Sequence, residues 1–152
     1  MYVIHFRLRK RALLAAMAVL VLSVSAALLL PGCRSKEEQP IPAGTEEQRL
    51  TYLADLGWAV NATPVETLDL QLPQPLTEDW AEYAQLQKEQ GLPFSDYSGQ
   101  SVRRYTYTVT NYPGVEKGVQ VNLYVCGDHL IGGDIISLGE NGFQSGLVFP
   151  KA

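Results

Sequence analysis

Residues that carry chemistry are scarce in this chain. Its 152 residues include only two cysteines, Cys33 and Cys126, and two histidines, His5 and His129. There is no Cys-x-x-Cys pair and no histidine cluster, which excludes an ordinary structural zinc site. Two cysteines allow one disulfide at most. If Cys33 carries a lipid they allow none, and the folded part must then stand on its apolar core. Positive charge is equally sparse after residue 33. All sixteen carboxylates lie beyond that point but only eight of the twelve lysines and arginines do, a formal charge of −8. Such a domain has no basic stripe for phosphates, so nucleic acid is excluded as a partner. Internal repeats and low-complexity tracts are also missing.

One long hydrophobic run is present. Arg7, Arg9, Lys10 and Arg11 precede nineteen residues, 12–30, whose only polar members are Ser23 and Ser25. As a helix this run spans roughly 28 Å, the thickness of a bilayer core. The basic flank comes first, so the N-terminus is expected in the cytoplasm and residues 34–152 outside it. Leu30-Pro31-Gly32-Cys33 resembles the lipobox of bacterial lipoprotein signals, with Pro31 as its departure from that pattern. Two anchors are therefore open, a lipidated Cys33 and an uncleaved single span. Either one holds the same domain on the same side of the membrane.

The pattern divides the chain into an anchor segment (1–33), a flexible polar linker (34–45) and an extracytoplasmic α+β domain (46–152). The linker contains Pro40, Pro42 and Gly44 and shows no apolar period. Thr45 and Gln48 form a capping box for a first helix, with Glu46 and Glu47 in its first turn. Leu50, Leu53, Ala54 and Leu56 make its apolar stripe, and Gly57 ends it. Trp58–Val60 is a short extended piece. Leu68, Leu70 and Leu72 alternate with polar residues, as in a half-buried strand. A second helix starts at Thr77 and stops at Gly91, with Trp80, Tyr83, Ala84 and Gln87 on one face. Three strands follow at 102–110, 119–126 and 130–137.

Gly127-Asp128 reads as a two-residue type II′ hairpin turn. It makes Cys126 and His129 direct partners and sets Val125 against Leu130. An unbroken register would put Asp134 on the core side opposite Val121. A bulge at Gly132-Gly133 moves Asp134 outward and turns Ile135 and Ser137 inward. Pairing Val109 with Val121 sets Tyr105 and Tyr107 on the inner face with Leu123 and Val125. The expected architecture is two helices packed on one face of a three- to four-stranded antiparallel sheet, preceded by the membrane anchor. Val121, Leu123, Val125, Tyr105, Tyr107 and Trp80 are the expected core.

Several segments together resemble a known family. They are Glu82-Tyr83-Ala84-Gln85-Leu86-Gln87-Lys88 with Gly91, Tyr97-Ser98-Gly99, Arg104-Tyr105-Thr106-Tyr107, Asn111-Tyr112-Pro113 and Leu130-Ile131-Gly132-Gly133-Asp134. The resemblance covers roughly residues 47–145. It is to an uncharacterised domain-of-unknown-function family (DUF4830-like) of small membrane-anchored extracytoplasmic proteins from Clostridia and related Firmicutes. It implies the same domain boundary and export, and it brings no activity, substrate or cofactor.

The residues offer few chemical constellations. Cys126 and His129, facing each other across a turn, have the types for a nucleophile–base pair or half a metal site. No Asn or Asp is placed to orient the imidazole. Arg103 shares a strand face with Tyr105 and Tyr107, a combination that binds sugars or peptides by stacking when exposed. Asp134 follows a Gly-Gly pair whose amides could face an anion, although no helix N-terminus follows it. Asp128, Asp134 and Glu140 lack the spacing of a calcium loop. Asn61-Ala62-Thr63 is a glycosylation sequon in form, but Pro64 follows it.

No catalytic residue, metal ligand or cofactor is assigned. The candidate sites are lipid attachment at Cys33 and binding at Arg103, Tyr105, Tyr107 and Asp134. The expected function is a non-enzymatic binding or interaction module at the cell envelope. Its partners are the membrane, through the anchor, and an unknown protein or cell-wall component. The alternatives are a small cell-surface enzyme using Cys126 and His129, and a structural part of an envelope assembly.

Overall fold

A computed structural model of the chain describes residues 39–139 and 142–150. The expected anchor with Cys33, and residues 34–38 of the expected linker, lie outside the described residues. None of the described helices is long and apolar enough to cross a membrane.

The described part is α+β. Helix α1 (Glu46–Asp55) is followed by strand β1 (Glu66–Gln71), helix α2 (Glu78–Glu89) and a 3-10 turn at Phe94–Tyr97. Strands β2 (Ser101–Thr108), β3 (Val119–Cys126), β4 (His129–Ser137) and β5 (Gln144–Ser145) complete it. The strands form one five-stranded sheet in the order β1-β2-β3-β4-β5, every neighbour antiparallel. The sheet thus exceeds the expected three to four strands. The edge strand β1 and the two-residue β5 make up the difference.

Local signals place the helices. The Thr45 side chain accepts from the Gln48 amide at 3.2 Å, and the Gln48 side chain accepts from the Thr45 amide at 3.1 Å. Gly57 (φ +94°) and Gly91 (φ +74°) follow the two helices in the left-handed region, where a side chain is strained. Leu53 is buried, Leu50 and Leu56 are half-buried, and Ala54 is exposed at the margin of the stripe.

The two helices cover opposite faces of the sheet, which corrects the expectation of a shared face. Leu53 of α1 packs with Tyr107, Val121, Leu123, Val125 and Ile135. Trp80, Tyr83 and Ala84 of α2 pack instead with Val102, Phe94, Tyr124 and Ile131. The physical reason is strand composition. β4 is apolar or glycine from Leu130 to Ile136 except at Asp134, the run of a strand covered on both sides. Trp80 is half-buried rather than mostly buried, and so is Tyr105.

The hairpin register holds at Cys126–His129 and Val125–Leu130. Only Gly127 (φ +58°) has a positive φ in that turn, as type II′ requires. The bulge falls one residue earlier than expected. Ile131 is the extra residue, and Tyr124 then pairs with Gly132 and Val121 with Ile135. The bulge sends Ile131 into the α2 cluster and leaves Ile135 under α1. β2 pairs two residues off the expected register, with Tyr107 rather than Val109 opposite Val121. A two-residue shift preserves the faces, so the tyrosines still lie with Leu123 and Val125. Val109 instead bridges Val60.

Residues 41–43, part of the expected linker, run along the outer edge of β4. The Ala43 amide donates to the Asp128 carbonyl at 2.8 Å, the Leu130 amide donates to the Ile41 carbonyl at 2.9 Å, and Ala43 is 1% exposed. Ala43 is buried and Ile41 half-buried against the core, and Pro42 has no amide that a second strand neighbour would need.

Candidate binding cleft

The α1 face of the sheet is covered over β3 and β4 and open at the β1–β2 corner. There Arg103 and Asp69 stand opposite each other across the strand pair. The Arg103 Nε donates to Asp69 Oδ1 at 2.5 Å and its Nη2 donates to Oδ2 at 3.1 Å, a two-pronged pair. Arg103 holds the Asp69 carboxyl below its ordinary pKa, and Asp69 in turn raises the guanidinium. The pair floors an open cleft of about 510 Å³ with Gln71, Ser101, Tyr105 and Val125 around it.

Tyr105 is backed by a residue the sequence reading did not single out. The Arg49 guanidinium lies 3.6 Å from the Tyr105 ring centroid. Its Nε donates to the Tyr107 hydroxyl at 2.9 Å, and its Nη1 donates to the Ala43 and Gly44 carbonyls at 2.9 and 3.1 Å. Arg49 is 5% exposed. The available signal was its spacing. It lies four residues before Leu53 and seven before Leu56, on the same stripe of α1.

The candidate residues therefore separate. Arg103 and Tyr105 line the cleft. Tyr107 is fully buried beneath it with its hydroxyl on Arg49, so it positions rather than touches. Asp134 is on the opposite face and, contrary to the outward placement expected, 1% exposed. The face it points to is covered by α2, which is why leaving the α1 core did not bring it to water.

Asp134 anchors a polar network. Its Oδ1 accepts from the Tyr83 hydroxyl at 3.0 Å, and its Oδ2 accepts from Gln144 Nε2 at 2.9 Å and Asn122 Nδ2 at 3.4 Å. Thr106 Oγ1 donates to Asn122 Oδ1 at 2.7 Å. Burial raises the Asp134 pKa despite these donors, and burial with the nearby carboxylate pushes the Tyr83 phenol well up. Arg104 on the same face pairs with Glu66 at the sheet margin.

The Gly132-Gly133 pair serves packing rather than anion binding. The Gly133 amide donates to Gln87 Oε1 at 2.8 Å, and the Gly133 carbonyl accepts from Gln90 Nε2 at 3.0 Å. A Cβ on Gly132 would sit 2.8 Å from the Phe94 ring, and one on Gly133 would sit 2.9 Å from the Asn122 carbonyl oxygen.

Cys126 and His129 are strand partners as expected. The half-buried thiol donates to the Ser101 carbonyl at 3.5 Å, and His129 is exposed. Among the described residues, no group of three or more His, Cys, Asp or Glu is placed to share a metal ion.

A family model described as "Domain of unknown function (DUF4830)" matches residues 52–135, which span α1 from Tyr52 to β4 at Ile135. No curated protein matches the chain. No solved structure matches it either.

Proposed function

The chain belongs to the DUF4830 family, a family of unassigned activity, and from that premise we propose that it is a membrane-anchored extracytoplasmic binding module of the cell envelope. The observation that carries this reading is the cleft at the β1–β2 corner. It is built on two rigid strands and holds an ion pair, an amide, a hydroxyl and a phenol ring in one open site. The anchoring part of the reading rests on the basic cluster and apolar run at the N-terminus. The acidic charge supports a neutral or basic partner over an anionic surface.

Binding is favoured over catalysis because the Cys126 thiol bonds to the Ser101 carbonyl, which cannot take up its proton. Iodoacetamide labelling checks this point. Cys126 in the folded protein is expected to react slowly below pH 8, and fast labelling that His129→Ala slows would restore the enzyme.

The binding reading itself is tested by immobilising the full chain and Arg103→Ala through a C-terminal tag. Each is challenged with solubilised membrane proteins and with purified peptidoglycan. Retention of one defined component by the native chain and its loss with Arg103→Ala is the expected result. Equal retention by both would overturn the assignment of the cleft. Wall-stripped cells test the topology. Added protease should remove the domain, and full protection would refute the extracytoplasmic placement. Loss of lipid labelling in Cys33→Ala would identify the lipid anchor over the spanning one.

A further inference from the structure

Resting on the reading of the cleft as a recognition site, we propose that its ligand is an uncharged, polyhydroxylated glycan of the cell wall type, bound across Arg103, Asp69 and Tyr105. The first argument is charge. Arg103 and Asp69 bond to each other through both oxygens, so the floor of the cleft is polar and locally neutral. An anionic ligand would have to displace a carboxylate already held in the Arg103 fork. It would also have to approach a domain of strongly negative net charge. A cationic ligand would meet the guanidinium.

The second argument is the alternation of donors and acceptors. Arg103 offers donors, Asp69 acceptors, and Gln71 and Ser101 both, all around one cleft. A sugar hydroxyl both donates and accepts, so neighbouring hydroxyls can bridge such a set without a formal charge. The N–H groups of Arg103 and the lone pairs of Asp69 that their mutual pair leaves over, with the Gln71 amide, can each take one hydroxyl without breaking the pair.

The third argument is shape. The Tyr105 ring is held in place by the Arg49 guanidinium at 3.6 Å and is half-buried, so it presents a fixed surface rather than a mobile side chain. Val125, 3% exposed, closes the base of the cleft beneath the ring. The volume of about 510 Å³ lies within the range of small-ligand sites, and the cleft is open, so a chain can pass through it.

The rival occupant is an extended peptide laid along the free edge of β1. The backbone of Thr67, Asp69 and Gln71 is directed away from β2, because Leu72 and its alternate neighbours hold the β2 side. The glycan is favoured because the cleft's polar side chains lie on the sheet face, whereas strand addition would use the edge and leave Arg103 unused.

The test uses the full chain in lipid nanodiscs, with tri-N-acetylchitotriose as one probe and a free wall stem tetrapeptide as the other. Amide resonances report both. The sugar is expected to give saturable shifts at Ser101, Arg103, Tyr105 and Gly127 in the millimolar range. Arg103→Ala and Gln71→Ala are expected to weaken it about tenfold, and Lys88→Ala on the far face should leave it unchanged. Both cleft variants alter exposed side chains, so folding is kept, and an unchanged amide spectrum elsewhere verifies it. Absence of saturable shifts with the sugar up to about 20 mM overturns the glycan assignment, as do shifts confined to other surfaces. If the tetrapeptide alone shifts the cleft or the β1 edge, the ligand is a peptide: the glycan falls while the binding module stands. If neither probe shifts the cleft, the glycan falls and the retention experiment on the full chain decides the broader reading separately.

Discussion

The two faces of the sheet are built from the same strands and solve burial in opposite ways. Under α1, Val119, Val121, Leu123 and Val125 present an aliphatic row, and a buried charge, Arg49, is satisfied by a phenol and two carbonyls. Under α2 the alternate residues are Asn122 and Tyr124. They meet an aromatic cluster in which Tyr83 and Phe94 lie 4.9 Å apart edge to face and Phe94 and Tyr124 lie 5.6 Å apart. The carboxylate of Asp134 sits beside that cluster. The α1 face is an apolar core that tolerates a cation whose donors find acceptors. The α2 face is a specified arrangement, in which rings and hydrogen bonds fix geometry at some cost in desolvation. Single substitutions can separate the two.

The largest effect is expected on the aliphatic face. Leu123→Ala removes a fully buried side chain and should cost about 2–5 kcal/mol in urea unfolding. A smaller loss would show that the face can collapse around the gap. Arg49→Met keeps the length of the side chain and removes its donors. Leaving the Tyr107 hydroxyl and two carbonyls without them should cost about 1–3 kcal/mol, and the Ala43 amide, bonded to the Asp128 carbonyl, should exchange faster as the segment loosens. Next comes Gly133→Ala, where the added methyl would meet the Leu147 side chain at 2.7 Å and, at 2.9 Å, the Asn122 carbonyl oxygen, which cannot swing away. A loss of about 1–3 kcal/mol in the same assay is expected.

Much of this architecture was legible in the residues. The capping box at Thr45, the hairpin at Gly127-Asp128 and the alternation along β3 are local signals, and each specified its element. The two-residue slip of β2 was not legible, because pairings two apart put the same side chains on the same face. Nor was the division of the helices between the faces. The near-continuous apolar run of β4 carried that information, but Asn122 and Thr106 looked like surface residues and are 6% and 3% exposed. For the cleft, the shared face of Arg103 and Tyr105 could be read from the period of two. Asp69 could not, because it joins them only through the pairing of distant strands.

Asp134→Asn tests the cost assigned to the α2 face. Burial raises the Asp134 pKa above its unfolded value, so folding favours the protonated acid. That stability is fully present below the ordinary carboxyl range and is lost as pH rises through the raised value. At pH 7 the variant should therefore match or exceed the native chain in denaturation midpoint. The difference between the two should shrink as pH falls below the raised value. A native chain clearly more stable than the variant at pH 7 would mean that the three donors outweigh burial. The smallest effect is expected from Asp69→Asn, whose side chain is 71% exposed. Its midpoint at pH 7 should be unchanged while sugar binding weakens, which would separate recognition from folding at one residue.

The seam at residues 41–44 has a mechanical meaning. A load applied at the N-terminal side of residue 39 reaches the domain first through the hydrogen bonds of Ile41 and Ala43 to the start of β4, and through the grip of Arg49 on the Ala43 and Gly44 carbonyls. Those contacts must part before tension is felt by Leu53 or Trp58 in the core. The same guanidinium lies on the ring of Tyr105, so a pull strong enough to peel this short segment away also withdraws the backing of the cleft. If the proposed anchoring and recognition both hold, tension on the chain before residue 39 and occupancy of the cleft would be mechanically opposed, with the tightest grip on a slack chain.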